Sequence, residues 1–326
     1  MTPAVTLSGV TKTFGETVAV SDLDLDVPEA GLYGVIGPNG AGKTTMIRMI
    51  LSIIFPDRGE LSVLGRRSAL DAKDRIGYLP EERGLYRRMR VGEFLRYMAR
   101  LKGIDGADLE GRVRQWLERV DLADCESWRC QDLSKGMQQK VQFVAAVIHR
   151  PDLIILDEPF SGLDPVNQRR LRELVLDEHR RGATVIFSTH IMTHAEQLCD
   201  RVVMIHHGRK VLDRPMAEIR EAFDPHRILF EPLEAGRDPG PLRAIPGVLS
   251  VESGGPAWEV TLDPSAEVAA LMPRLVAAVT PSRVEVRRPS LEDVFVGIVT
   301  GGAAAAAGED ARLRAAIRDE GPEVRR

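Results

Sequence analysis

The sequence predicts two folded parts: an α/β core interrupted by a helical insert, and behind it a small α+β domain. Three observations carry this. Short apolar runs at residues 32–36, 153–156 and 184–187 suit buried parallel strands and are too short for helices. Helical-period stretches lie between them, and strands alternating with helices imply an α/β core. Near Asp224 and Pro225 the pattern changes to several short strands with two helices among them. A chain of 326 residues has room for about two domains, at roughly 150 residues each.

From the N-terminus, residues 5–7, 18–20, 23–27 and 32–36 are β-type runs punctuated by glycine and proline, expected to join a mixed sheet. Residues 44–54 then turn helical. Val91, Phe94, Leu95, Met98 and Leu101 recur at helical spacing, and Val113, Trp116, Leu117 and Val120 do so again. The stretch of about 82–150 therefore reads as a helical insert in a core spanning 1–223. After it come a strand at 227–230, a short helix, strands at 249–252 and 258–262, a helix at 266–278 and a strand at 283–287. That succession is the ferredoxin-like one, over 224–300. A last helix at 290–299 would pack Leu291, Val294, Phe295 and Ile298 on one face, and 301–326 read as a solvated, mobile tail.

Composition narrows the class. With 44% hydrophobic and 28% charged residues, a disordered, collagenous or coiled-coil chain is excluded. Acidic and basic residues nearly cancel, at 48 against 44, so no whole-chain field draws the protein to nucleic acid, and none is expected as a partner. Three cysteines, Cys125, Cys130 and Cys199, cannot all pair and are expected to be reduced cytosolic thiols. No basic segment leads into an apolar stretch at the N-terminus, and no apolar run approaches the roughly 20 residues that span a bilayer.

The residues with chemistry in them begin at Gly37-Pro38-Asn39-Gly40-Ala41-Gly42-Lys43-Thr44, which fits G-x-x-x-x-G-K-[ST] between a strand and a helix. Glycines let backbone N–H groups turn inward around phosphate oxygens, and the helix N-terminus adds its positive end. Lys43 is then placed for the terminal phosphates and Thr44 for a magnesium ion. The run 153–156 ends in Asp157 and Glu158, one carboxylate for the metal shell and one to polarise an attacking water. The run 184–187 leads to His190, at the strand edge where a γ-phosphate would sit.

The order of motifs resembles the ATP-binding cassette (ABC) ATPases that power membrane transporters, over residues 7 to about 223. Leu133-Ser134-Lys135-Gly136-Met137-Gln138-Gln139 is similar to the family signature; it departs at Lys135 and Met137 and keeps Ser134 and Gly136. Ser161-Gly162-Leu163-Asp164 resembles the D-loop, His190 the switch histidine and Phe14 the aromatic that stacks on adenine. The resemblance implies ATP and Mg2+ as ligands, nucleotide contacts from the phosphate loop and Thr45, and Ser134, Lys135, Gly136 and Asp164 acting on a second chain's nucleotide. The region around Ile76-Gly77-Tyr78-Leu79-Pro80-Glu81 looks like that of bacterial exporter ATPases of the drug, sodium and antibiotic-resistance type, but Glu81 stands where they have glutamine. Glu81 would then join Thr44 and Asp157 as a metal ligand.

The resemblance further implies an ATP-hydrolysing exporter subunit, on the cytoplasmic face of the membrane, working as a homodimer with separately encoded transmembrane subunits. The basic run Arg87, Arg88 and Arg90 would face that membrane partner. The rival reading is a non-transport ABC switch acting on a soluble partner. Other phosphate-loop classes fit worse, since no Asn-Lys-x-Asp guanine-recognition sequence occurs.

Overall fold

The computed structural model describes residues 3–82, 84–221, 226–234, 236–253, 255–287 and 290–299. The expected tail and the expected boundary at 223/224 lie outside these residues. The chain divides into two compact units, Met1–Met216 and Ala217–Arg326.

The first unit runs β1 (Pro3–Phe14), β2 (Thr17–Pro28), β3 (Leu32–Ile36), α1 (Lys43–Ile50), β4 (Arg58–Val63) and β5 (Ile76–Leu79). Three helices follow, α2 (Val91–Leu101), α3 (Ala107–Arg119) and α4 (Lys135–Val147). It continues with β6 (Leu153–Asp157), α5 (Pro165–Arg180), β7 (Thr184–Thr189), α6 (Met192–Leu198), β8 (Arg201–His206) and β9 (Arg209–Pro215). A further helix, α7 (Met216–Glu221), begins at its last residue.

Two sheets result, not one. Strands β1, β2 and β4 form a separate antiparallel sheet, whereas β5, β6, β7, β3, β8 and β9 lie side by side in that order. The first five of these are parallel and β9 returns antiparallel to β8. Residues 18–20 and 23–27, expected as separate runs, belong to one strand. A bulge at Asp22, φ 49°, lets the register jump from Val10 opposite Leu23 to Lys12 opposite Val20, so the inside face changes parity.

Helix α1 buries Met46, Ile47, Met49 and Ile50 in one cluster with Val5, Leu7, Leu23 and Leu25 of the hairpin and Ile155 and Ile186 of the parallel sheet. Each such side chain contributes about 1.5–3 kcal/mol. The helix stops at Ile50, short of the expected 54, because Ser52 takes φ 55° and turns the chain. In the insert, Val113, Trp116, Leu117 and Val120 are buried as their spacing predicts, while Leu101 is exposed.

The second unit contains β10 (Arg227–Pro232), α8 (Gly240–Arg243), β11 (Val248–Ser253), β12 (Trp258–Leu262), α9 (Val268–Ala278), β13 (Pro281–Val286) and α10 (Leu291–Val299). Its sheet has the order β11-β12-β10-β13 with every pair antiparallel. This is the ferredoxin-like arrangement that the succession of elements predicts. Phe230 and Trp258, directly opposite each other, stack at 5.8 Å over Leu271, Leu275 and Val260 in one cluster. Of the expected face of α10, Leu291 and Val294 are buried and Phe295 and Ile298 are half-buried.

Candidate functional site

Strand β3 is buried along its whole length, and it delivers the loop 37–42 to the C-terminal edge of the parallel sheet. Only glycine fits at Gly42: φ is 109°, and a Cβ there would lie 2.4 Å from the Ala19 carbonyl oxygen. Lys43 opens α1 and folds back, its Nζ donating to the carbonyl oxygens of Gly37 at 2.7 Å and Pro38 at 3.1 Å. It is only 6% exposed and lies 3.9 Å from Glu158 Oε1. Burial lowers the Lys43 pKa, and the charges of Glu158, Asp157 and Glu81 act against that.

Parallel pairing of β6 with β7 sets Asp157 opposite Ser188. The Ser188 hydroxyl, fully buried, donates to Asp157 Oδ1 at 2.5 Å and accepts from the Glu158 backbone N–H at 3.1 Å. Thr44 Oγ1 stands 3.4 Å from the same Asp157 oxygen. Glu158 has a left-handed backbone, φ 48°, a conformation costing on the order of 1–3 kcal/mol for a side chain of this kind. The Ser188 bond helps to hold it there. His190 Nδ1 lies 2.9 Å from Glu158 Oε1, so β6 and β7 bring the acid and the histidine together.

A cavity of about 450 Å³ opens beside the loop. Asn39, Gly40, Ala41, Gly42, Lys43, Thr44 and Thr45 line it, with Glu81 and Glu158. Its other wall, which no sequence motif marks, is made of Thr17, Val18 and Ala19 of the hairpin and His207 and Gly208 of the β8–β9 turn. Gly208 is the one local signal, a turn glycine at φ 75° whose N–H donates to the Ala41 carbonyl at 2.9 Å. Phe14 does not line the cavity. It pairs with Thr17 at the hairpin end, 50% exposed, with the Lys12 ammonium 5.5 Å from its ring centroid.

The signature residues also lie outside that cavity. Ser134 caps α4, its hydroxyl accepting from the Met137 N–H at 3.3 Å; Ser134 and Lys135 are exposed and Gly136 is buried. Asp164 caps α5, Oδ1 accepting from the N–H groups of Val166 and Asn167 at 3.0 Å each. Those bonds, with one from the Asn167 side chain, hold the Asp164 carboxyl below the usual carboxylate range. Gln139 Nε2 donates to the Pro159 carbonyl at 3.1 Å, and Gln168 Nε2 to that of Leu163 at 3.0 Å.

A glycine loop at a helix N-terminus, a buried lysine beside it and two carboxylates at the end of β6, two strands away in the sheet, define a phosphate-loop nucleoside triphosphatase on an open α/β sheet. Comparison with known proteins gives the family. The ABC transporter family profile matches residues 20–161, and that of the ATP-binding protein DrrA1-3-like C-terminal domain matches 215–299. The chain is 40% identical over 295 residues to the uncharacterized ABC transporter ATP-binding protein YhaQ of Bacillus subtilis (strain 168), covering 90% of this chain and 97% of that one. It is 35% identical to a Nod factor export ATP-binding protein I of Rhizobium sp. (strain N33), over 90% and 96% of the two chains. The ABC transporter ATP-binding protein NatA of Bacillus subtilis (strain 168) is 38% identical over 63% of this chain and 85% of its own. A solved structure of an ATP binding subunit of an ABC transporter superposes with TM-score 0.62 at 33% identity, over 67% of this chain and 92% of that one. The chain belongs to the ATP-binding subunits of ABC transporters, and its activity is the ATP hydrolysis that drives transport. Among the described residues no helix is long and apolar enough to cross a membrane.

Proposed function

We propose that two copies of this chain close on two ATP molecules and drive an exporter through separately encoded transmembrane subunits, at the cytoplasmic face of the membrane. Residues 1–223 are the nucleotide-binding part and 224–300 an accessory domain. The observation that carries the paired arrangement is a division of the site. Lys43, Thr44 and Glu158 line the cavity, with Asp157 against Thr44 and His190 on Glu158, whereas Ser134 and Asp164 lie outside it and cap α4 and α5 instead. A second chain would have to bring those groups to the nucleotide, most simply by twofold symmetry.

In this reading Lys43 exchanges the Gly37 and Pro38 carbonyls for the terminal phosphates, a stronger charge-assisted partner. Glu158 accepts a hydrogen bond from the attacking water, and His190, already on Oε1, orients that carboxylate. The oxygens of Thr44 and Asp157, 3.4 Å apart, suit magnesium as hard donors, with Glu81 on the same cavity wall as a third. Magnesium would supply charge neutralisation of the triphosphate. Ser188 is a positioning residue, for the Asp157 carboxylate directly and for Glu158 through its backbone N–H. Phe14, at the hairpin end three residues before the cavity-lining Thr17, remains the proposed adenine platform.

Export is supported by the kinship with Nod factor export subunits, and the exposed Arg87, Arg88 and Arg90 suit acidic loops of a membrane partner. The test is co-purification of the tagged chain from its own cells. Recovery of a protein with about six apolar spans of roughly 20 residues is expected. Recovery of a soluble partner alone, with no membrane protein, would contradict the transport reading.

A further inference from the structure

Asn167 lies in the first turn of α5, between the two stretches that the proposed reading sends to a partner chain's nucleotide. Its Nδ2 donates to Asp164 Oδ2 at 2.5 Å, and its backbone N–H donates to Oδ1. Facing the carboxylate, only the amide nitrogen is chemically admissible, since the amide oxygen would set two acceptors against each other. The same side chain faces the signature. A Cβ built on Gly136 would lie 2.7 Å from Asn167 Nδ2 and 3.0 Å from its Cγ.

Gly136 is not among the glycines with a left-handed backbone. Its conformation therefore does not require glycine; the space in front of it does. The Asn167 amide occupies that space, and it cannot retreat from a new methyl group without releasing Asp164. The loop that ends at Asp164 is itself tied down at three carbonyls. Gln168 Nε2 reaches the carbonyls of Phe160 and Leu163 at 3.4 and 3.0 Å, and Gln139 of α4 reaches that of Pro159 at 3.1 Å. The segment between Glu158 and α5 is thus tied to both helices.

We propose that Asn167 is a positioning residue: seated against Gly136 and bonded to Asp164, its amide fixes the signature end of α4 and the D-loop to each other, so that both reach the partner's nucleotide in one geometry. This rests on the reading that Ser134 and Asp164 act across a dimer. It adds a reason for the signature glycine that lies inside the chain and involves no phosphate.

The test uses the full chain with Gly136→Ala, Asn167→Ala, the double variant and Asn167→Asp. ATP affinity by titration, kcat and Tm are measured for each. ATP affinity of the dilute, unpaired chain should be nearly unchanged in all four, because its own phosphate loop is untouched. Gly136→Ala is expected to lower kcat roughly tenfold, and coupled sites should make the double variant match Asn167→Ala alone to within about twofold. Asn167→Asp keeps the shape but faces Asp164 with an acceptor, so it should lose at least as much kcat as Asn167→Ala. Should Gly136→Ala unfold, a rise in Tm on adding Asn167→Ala reports the same coupling. Equal losses from Gly136→Ala with and without Asn167 would overturn the proposal, as would Tm changes with no change in kcat. Failure of the dimer reading looks different: specific activity would not depend on chain concentration, while the coupling between residues 136 and 167 would still be read.

Discussion

The phosphate-loop half and the signature half of this chain are built on opposite plans. Around Lys43, the lysine and both carboxylates are buried and held by partners within the chain: lysine on loop carbonyls, Ser188 bridging Asp157 and Glu158, and the more exposed His190 on Glu158. Around Ser134 and Asp164, polar groups are exposed and spend their hydrogen bonds on capping helices. This contrast separates groups held within one chain from groups open to a second. Buried, mutually paired charges are expensive to leave half-paired, so the first half is fixed before ATP arrives. Exposed caps leave Ser134 and Asp164 accessible, which suits groups proposed to meet a partner chain, while Asn167 holds the two caps to each other.

The separation can be broken most sharply at Glu158. Glu158→Gln should keep ATP affinity and lower phosphate release by about 10²–10⁴, the range for losing a positioned general base. Wild-type turnover would remove Glu158 from the chemistry. Lys43→Ala attacks binding itself, and a charge-assisted partner worth about 1.5–3 kcal/mol predicts roughly a 10–150-fold weaker ATP Kd in a fluorescence titration. An unchanged Kd would mean that the lysine stays on its carbonyls. At Glu81 the expected effect is smaller, a shallower magnesium dependence of ATPase rate in Glu81→Gln with hydrolysis retained. Superimposable magnesium curves would put Glu81 outside the metal's shell. Smallest of all should be removal of everything after Phe223. The accessory unit has its own core around Phe230 and Trp258, so residues 1–223 should bind ATP much as the full chain does. Loss of binding in a folded truncation would show that the unit contributes to the site.

How far the sequence can be read depends on the range of the interactions. The phosphate loop, the acidic strand end and His190 are legible because each depends on local backbone geometry: a strand, a turn, a helix start. The ferredoxin-like order is legible for the same reason. Ser188 reads only as a strand residue, since its role exists through the register of β6 against β7. His207 and Thr17–Ala19 arrive at the cavity from a turn and a hairpin far from the loop in sequence, and only Gly208 hints at that close approach. The bulge at Asp22 hides the continuity of β2 by switching the alternation midway. Asn167 follows an ordinary helix cap, and its contact with Gly136 needs two helices to meet.

If one working site takes its two halves from two chains, mixing Lys43→Ala chains with Ser134→Arg chains should restore activity that neither has. Each variant alone should be nearly inactive, because every site in it lacks either the lysine or the signature. In a mixed dimer one site receives an intact phosphate loop from one chain and an intact signature from the other. Random pairing then predicts recovery of roughly a quarter of wild-type ATPase rate, provided that the two sites of a twofold dimer work independently. A mixture no more active than its components would place both halves on the same chain and contradict the shared site.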